Sequence, residues 1–202
     1  MTGAVILAAG GSIRLGQPKQ FLVYRGRSLI QRAVDAAAEC SPVVVVAGRE
    51  WERVQQELQA REVCVVQNAE WEHGIGSSIR AGVERALEIA PGVEALVILV
   101  CDQPFVTPEV VTALRVSREK GGKRGAACSY GGSLGVPAIF ARSLFAELLS
   151  LRDDCGAKQI ISKLGDDVGR VEFAAGAVDI DTGEDSEILN RSGQVGSVMD
   201  ET

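Results

Sequence analysis

Short runs of hydrophobic residues alternate along the chain with stretches in which apolar positions recur every three or four residues. The short runs predict buried β-strands, and the periodic stretches predict amphipathic helices. Leu29, Ala33 and Val34, for example, share one face of a predicted helix over 28–40. The predicted strands cover 4–10, 41–48, 62–68, 94–104, 125–130, 136–140, 170–175 and "AVDID" at 177–181. The other predicted helices cover 50–61, 77–90, 107–119, 143–151 and 157–165, and Thr107 is the expected N-cap of the helix over 107–119.

This alternation of strands and helices predicts parallel βαβ units with helices on both faces of a sheet. The strand runs are apolar throughout, as expected for strands buried on both sides. We expect one domain over residues 1–190 and a polar, mobile tail over 191–202. Ligands of such sheets bind beyond the carboxyl ends of the strands, so the residues that follow strands are the candidates for function.

A loop rich in small residues follows the first predicted strand, in the stretch "LAAGGSIRLGQPKQ" at 7–20. Its amides can form an anion-binding nest, and Arg14 and Lys19 can neutralise phosphate oxygens. It is neither a Walker A loop nor a G-x-G-x-x-G fingerprint, so an ordinary strand-to-helix turn with solvated cations is the alternative. The residues expected to form the nest are Gly10, Gly11, Ser12, Arg14 and Gly16.

Aspartates follow two other predicted strands. Asp102 lies in "CDQP" after the most apolar strand, and Asp179 and Asp181 lie in "DIDT". Mg²⁺ prefers oxygen ligands and needs only one or two carboxylates beside substrate phosphates, so these acids are candidate metal ligands. A strand-ending turn and an exposed strand with alternating acids are the respective alternatives. Lys158 opens a helix, where a lysine faces either solvent or an anion.

Composition narrows the class of protein. With 46% hydrophobic and 24% charged residues the chain is typical of a soluble globular protein, and its net charge of −6 with scattered cations argues against nucleic acid binding. The first residues carry no charged n-region and the longest apolar run, "ALVILVC", is too short to cross a bilayer, so we expect no signal peptide and no membrane partner. The five cysteines lie mostly in apolar runs, which favours reduced thiols in the cytoplasm. Both tryptophans are expected to serve packing.

The glycine-rich stretch resembles the L-A-A-G-x-S-x-R-x-G-x-x-K signature of the MobA-like and MocA-like NTP transferases. Five further stretches, between residues 74 and 185, occur in the order seen in one branch, the molybdenum cofactor cytidylyltransferases. These stretches are "GIGSSIRAGV", "CDQP", "GVPAIF", "DDCGAKQII" and "VDIDTGED". The resemblance implies a single-domain, three-layer α/β/α Rossmann-like fold with a mixed, mostly parallel sheet, as in the nucleotide-diphospho-sugar transferases.

The resemblance also implies roles for individual residues. Arg14, Lys19 and Asp102 would be catalytic, and Asp102 with Asp179 or Asp181 would hold Mg²⁺. An L-A-A-G start goes with CTP in this family and an L-A-G-G start with GTP. The implied acceptor-binding residues are Gly135, Pro137 and Lys158. The implied nucleotide-binding residues are Leu7, Ala8, Ala9, Gly10, Gly11, Ser12, Gly16, Gly74, Ser77 and Ser78.

The resulting expectation is a cytidylyltransferase that moves CMP from CTP to the phosphate of Mo-bound molybdopterin and releases pyrophosphate. The acceptor phosphate is already ionised, so the reaction needs charge neutralisation and alignment more than a strong base. Its expected partners are CTP, the pterin acceptor and a molybdoenzyme that receives the cofactor. The alternatives are cytidylyl or guanylyl transfer to another small phosphate, such as methylerythritol phosphate or a sugar phosphate, and a non-catalytic carrier of the cofactor.

Overall fold

The structure is a computed structural model that describes residues 1–10 and 17–180. Its strands are β1 (Thr2–Ala8), β2 (Val23–Tyr24), β3 (Arg27–Ser28), β4 (Val43–Ala47), β5 (Cys64–Gln67), β6 (Ala95–Val100), β7 (Gly125–Tyr130), β8 (Ser133–Ala141) and β9 (Val168–Glu172). Its α-helices are α1 (Leu29–Ala36), α2 (Trp51–Glu57), α3 (Ile75–Ile89), α4 (Pro108–Lys120), α5 (Phe145–Leu149) and α6 (Lys158–Leu164). Short 3₁₀ turns cover Lys19–Phe21, Trp71–His73, Arg142–Leu144, Gly165–Asp167 and Ala174–Ala177.

Within the described residues, seven strands form one sheet in the order β5-β4-β1-β6-β8-β7-β9. β8 pairs antiparallel with both β6 and β7, while the pairs β1–β4, β1–β6, β4–β5 and β7–β9 are parallel. β7 and β8 run antiparallel because a tight turn joins them directly. That turn is made by Gly131 and Gly132 at φ angles of 56° and 75°, which suit glycine. The mixed, mostly parallel sheet implied by the resemblance is therefore confirmed.

Helices cover both faces of this sheet. Alternate residues of β1 point to opposite sides, so that Ile6 packs in one core cluster and Val5 in the other. The first cluster is closed by α1, α2 and α4, and the second by α3, α5 and α6. The three-layer α/β/α architecture follows directly from strands that are apolar on both faces.

Two predicted helix starts agree with the structure. Ser28 caps α1 in a capping box, in which its hydroxyl accepts from the Gln31 amide and the Gln31 side chain accepts from the Ser28 amide. Thr107 occupies the N-cap position of α4 with extended backbone and Pro108 at the first helical position, but its side chain makes no capping hydrogen bond.

Two features differ from the sequence-based elements. A small hairpin of β2 and β3 over Val23–Ser28 was not predicted, and its turn is made by Arg25 and Gly26, both at positive φ. The predicted strand "AVDID" is wrong over its described part, because Ala174–Ala177 forms a 3₁₀ turn and 178–180 joins no strand. Its backbone bonds instead to a loop, with the Ile180 amide donating to the Asp102 carbonyl at 3.1 Å.

Candidate functional site

The loops after β1, β5 and β6 meet at one edge of the sheet and enclose a cavity of about 290 Å³. β1 lies between β4 and β6, and the Cys101 amide donates to the Leu7 carbonyl where β1 and β6 end. The parallel strands therefore bring the small residues after β1 next to the acid after β6. The cavity is lined by Leu7, Ala9, Gly10, Lys19, Gln20, Trp71, Glu72, Gly74, Ile75, Ser78, Val100, Cys101 and Asp102.

Lys19 and Asp102 form an ion pair on the cavity wall. Pro18 and the 3₁₀ turn Lys19–Phe21 direct the lysine back toward the sheet, where its ammonium contacts Asp102 Oδ2. Both side chains are mostly buried, at 15% and 19% exposure. The pair places a cation and a carboxylate that are 83 residues apart in the chain on the same side of one cavity.

Asp179 lies near this acid. The Ile180 amide bonds the Asp102 carbonyl, which ties the chain after the last 3₁₀ turn to the loop after β6. Burial raises the pKa of the Tyr130 phenol, the hydrogen bond with Gln103 acts in the opposite direction, and the charges of Asp179 and Asp102 add to the rise. Both carboxylates therefore lie close enough to one phenol to affect its ionisation.

Several residues predicted for this site lie outside the described part of the chain. They are Gly11, Ser12, Arg14, Gly16 and Asp181. Their roles in phosphate and metal binding stay predictions.

The start of α3 is braced by a buried hydrogen-bond network centred on Asn68. Its Nδ2 donates to Ser77 Oγ at 2.8 Å and to Ser78 Oγ at 3.0 Å, and its Oδ1 accepts from the Glu70 amide. Ser77 Oγ in turn lies within hydrogen-bond distance of the Glu70 and Gly74 carbonyls. Ser78 and Gly74 line the cavity, whereas Ser77 is not part of its lining and only contributes hydrogen bonds to the network. Sequence reasoning missed Asn68, which ends the predicted strand over 62–68 and directly follows β5 in the structure.

A second missed pair, Gln103 and Tyr130, joins the loop after β6 to the turn Ala174–Ala177 and to strands β7 and β8. The Gln103 side chain donates to the Gly176 carbonyl at 2.9 Å and to the Tyr130 hydroxyl at 3.4 Å. Tyr130 then donates to the Val136 carbonyl at 2.6 Å. This network connects the loop of Asp102 with the turn that precedes Asp179, so it positions both acids. The "CDQP" motif contains Gln103, but Tyr130 carries no sequence signal.

The predicted acceptor residues are not among the described residues that line the cavity. Gly135 and Pro137 are buried in β8. Lys158 is exposed at the start of α6, with its ammonium 3.4 Å from Ser133 Oγ.

Among the described residues, no group of three or more His, Cys, Asp or Glu side chains is arranged to hold a metal ion. All five cysteines are free thiols, and Cys40, Cys101 and Cys128 are buried, as expected from the apolar runs. No helix in the described ranges is long and apolar enough to cross a membrane.

Comparison with known proteins identifies the family of this chain. Residues 4–168 match the MobA-like NTP transferase domain. The chain is 36% identical over 141 residues to nicotine blue oxidoreductase of Paenarthrobacter nicotinovorans, a match that spans 68% of this chain and 66% of that protein. It is 29% identical to the purine catabolism protein PucB of Bacillus subtilis, over 93% of this chain and 95% of that protein.

A probable molybdenum cofactor guanylyltransferase of Bacillus velezensis is 30% identical over 55% of this chain and 53% of its own length. Among solved structures, the Rv0371c homolog from Mycobacterium sp. strain JC1 superposes with a TM-score of 0.78 at 29% identity, over 96% of this chain and 97% of that one. Rv0371c of Mycobacterium tuberculosis in complex with manganese has a TM-score of 0.69 at 26% identity, over 95% of this chain and 98% of that one.

Proposed function

This chain belongs to the MobA-like NTP transferase family, and from that premise we propose that it transfers CMP from CTP to the phosphate of Mo-bound molybdopterin, with release of pyrophosphate. The observation that carries the proposal is the single cavity that joins the loop after β1, the cation Lys19 and the carboxylate Asp102. Small residues, a cation and an acid beyond the carboxyl ends of parallel strands suit a triphosphate with a divalent ion.

The proposed reaction is an in-line displacement at the α-phosphorus of CTP. An acceptor phosphate oxygen forms a new bond to the α-phosphorus while the bond to the bridging oxygen of the β-phosphate breaks, and pyrophosphate leaves with that electron pair. The cavity's contribution is to align the two phosphates and to neutralise their charge. We assign this task to Lys19, because it is mostly buried and its charge is therefore weakly screened by solvent. Arg14, which lies in the same sequence stretch after β1, is proposed to act with it.

We propose that Asp102 supplies one carboxylate ligand of a magnesium ion. A cage built wholly from protein ligands is absent among the described residues, whereas Mg²⁺ in phosphoryl-transfer sites takes one or two carboxylates and completes its shell with substrate phosphates and water. Asp102 on the cavity wall and Asp179, or Asp181 two residues on, are proposed as those carboxylates. When bound, the ion supplies charge neutralisation at the phosphate oxygens.

The base preference rests on the loop. Ala9 and Ser78 face the cavity, and both are nearly buried. Ala9 belongs to the L-A-A-G start that goes with CTP in the family the chain resembles. The relative of Bacillus velezensis is named a guanylyltransferase, so CTP and GTP are the two nucleotides to compare.

The acceptor phosphate is proposed to lie toward Lys158, whose exposed ammonium stands at the start of α6. Gly135 and Pro137 are proposed to shape that side from within β8. We place the reaction in the cytoplasm, with a molybdoenzyme as the recipient of the product. Transfer to methylerythritol phosphate or a sugar phosphate, and cofactor carriage without catalysis, are the competing functions.

Pyrophosphate release separates these functions. The purified protein is incubated with Mg²⁺, CTP or GTP, and Mo-bound molybdopterin, methylerythritol phosphate or a sugar phosphate. We expect release only with CTP and the pterin, and none from an Asp102→Asn variant of equal thermal stability. Release of pyrophosphate with another acceptor would mean that this compound, and not the pterin, is the substrate. A protein that binds the pterin but releases no pyrophosphate with any pair would be a carrier.

A further inference from the structure

The two tryptophans of the chain have different surroundings. Trp51, at the start of α2, packs against the core cluster that α1, α2 and α4 close. Trp71, in the 3₁₀ turn before α3, belongs to none of the core clusters of the described residues. It lines the cavity instead and is partly exposed there. A large aromatic side chain with its surface in a binding cavity and outside the core needs an explanation other than packing.

The Trp71 indole rests on the backbone after β4. A Cβ built on Gly48 would lie 2.7 Å from Trp71 Cγ and 2.8 Å from the Ala9 carbonyl oxygen. Gly48 therefore lets the indole approach the main chain closely, beside the loop that follows β1. Any larger residue at this position would push the ring or the loop away.

The segment that carries Trp71 is held firmly. Asn68 bonds the Glu70 amide on one side, and Ser77 bonds the Glu70 carbonyl on the other. Asn68 and Ser77 also bond each other, and Asn68 is only 6% exposed. Ser77 Oγ also lies 2.8 Å from the Gly74 carbonyl, so the turn that carries the indole is held at Glu70 and at Gly74, as in a preorganised ligand contact.

One end of the cavity carries Trp71, followed in the chain by the lining residue Glu72, and the other end carries the Lys19–Asp102 ion pair. Trp71 stands over Gly48, directly after β4, whereas Asp102 follows β6 and is paired there with Lys19. β1 lies between these two strands, so the ends of β4 and β6 are two strand spacings, about 10 Å, apart. Ile75, 44% exposed, adds apolar surface near Trp71. A nucleotide has matching parts, with a flat base that can stack on an aromatic ring at one end and phosphates at the other.

We propose that the Trp71 indole is the wall against which the nucleobase of the bound nucleoside triphosphate packs, while the triphosphate extends toward Lys19 and Asp102. This inference rests on the proposed function and adds to it a base-contacting residue. Aromatic stacking tolerates every base, so Trp71 contributes affinity for the nucleotide, and the choice between CTP and GTP stays with the loop after β1.

Tryptophan fluorescence tests the placement without turnover. The Trp51→Phe variant has Trp71 as its sole tryptophan, and the Trp71→Phe variant has only Trp51. With Mg²⁺ and excitation beyond nucleotide absorbance, CTP should quench the first variant saturably and leave the second unchanged. Inorganic tripolyphosphate, which lacks a base, should displace CTP and restore the emission of Trp71.

Equilibrium dialysis with labelled CTP keeps the two proposals distinguishable. If CTP binds the Trp51→Phe variant but the emission of Trp71 does not change, Trp71 does not contact the base, and the proposed function still stands. If no nucleoside triphosphate binds at all, both are overturned.

Kinetics provide the second measurement. Trp71→Ala should raise KM for CTP about tenfold or more, the size expected for loss of one stacked base, with kcat near that of the wild type. Trp71→Phe should retain most of the affinity because a ring remains. Gly48→Ala should raise KM with Trp71 intact, while Gly92→Ala, whose added Cβ meets nothing within 4 Å, should not. An unchanged KM for CTP in a folded Trp71→Ala variant would contradict the packing of the base on Trp71.

Discussion

Lys19 illustrates how a single residue acquires a role from its position. On the surface, a lysine paired with an aspartate contributes little, because water screens the two charges. Lys19 is only 15% exposed, and its partner Asp102 is held by the backbone bond from Ile180. A cation held in a poorly solvated cavity acts on nearby phosphate charge far more strongly than it would in water.

Replacing this cation should therefore lower turnover. We expect Lys19→Met to lower kcat by about 10²–10³, the size reported for losing one charge contact to a transition state. Lys120→Met, at the exposed end of α4, is the matched control and should behave as the wild type. Steady-state pyrophosphate release measures both. A Lys19→Met variant in which KM alone changes would limit Lys19 to ground-state binding.

Ala9 tests the origin of base choice. The residue is 8% exposed and lines the cavity beside Gly10. Ala9→Gly converts the loop start to L-A-G-G, and we expect it to increase kcat/KM for GTP relative to CTP. Initial rates with each nucleotide provide the ratio. An unaltered ratio would mean that the base is selected elsewhere in the cavity.

At the scale of elements, the site depends on how closely α3 lies on the sheet. α3 carries Gly74 and Ser78 at its start, and Gly82 in its middle faces β1 and β4. A Cβ on Gly82 would lie 2.3 Å from Val5 Cγ1 and 2.9 Å from Val46 Cγ2. The missing side chain allows the helix to sit at the depth that brings its N-terminal residues to the cavity.

A methyl group at this contact should be costly. We expect Gly82→Ala to lower the free energy of unfolding by about 1–3 kcal/mol, the usual cost of overpacking, despite the better helix propensity of alanine. Urea unfolding followed by circular dichroism measures the change, with Gly92→Ala as the control in open space. Equal stabilities of the two variants would show that α3 can shift without cost.

The elements themselves were largely predictable, because periodicity reports burial on one or both faces. The β2–β3 hairpin was missed since its strands are two residues long and too short to show a period. The segment over 177–181 alternates like a strand, yet its described part pairs with no strand. The Ile180 amide donates instead to the Asp102 carbonyl in the loop after β6, a long-range pairing that local sequence does not determine.

Across the whole molecule, buried thiols couple stability to pH. Burial raises the pKa of Cys40 to about 11 and the pKa values of Cys101 and Cys128 to about 12. In the unfolded chain the pKa of the same thiols is about 8.5. Above that pH the unfolded state loses protons that the folded state keeps, so ionisation favours unfolding.

We therefore expect the free energy of unfolding to fall as pH rises from about 8.5 toward 11. Urea midpoints under reducing conditions across this range measure the decline. Cys128→Ala should make it shallower, because one such group is removed, whatever the variant's stability at neutral pH. If the variant and the wild type decline in parallel, the Cys128 thiol does not contribute.

The sequence by itself determined the layered α/β/α architecture, because strands that are apolar on both faces must be covered by helices on both sides. It also determined the family, and the residues after β1 and β6 as the candidates for phosphate and metal binding, because ordered motifs record local chemistry. Only the tertiary structure decided which of these residues meet. Lys19 with Asp102, Gln103 with Tyr130, and Trp71 over Gly48 are each far enough apart in the chain that strand order and loop packing alone bring them together.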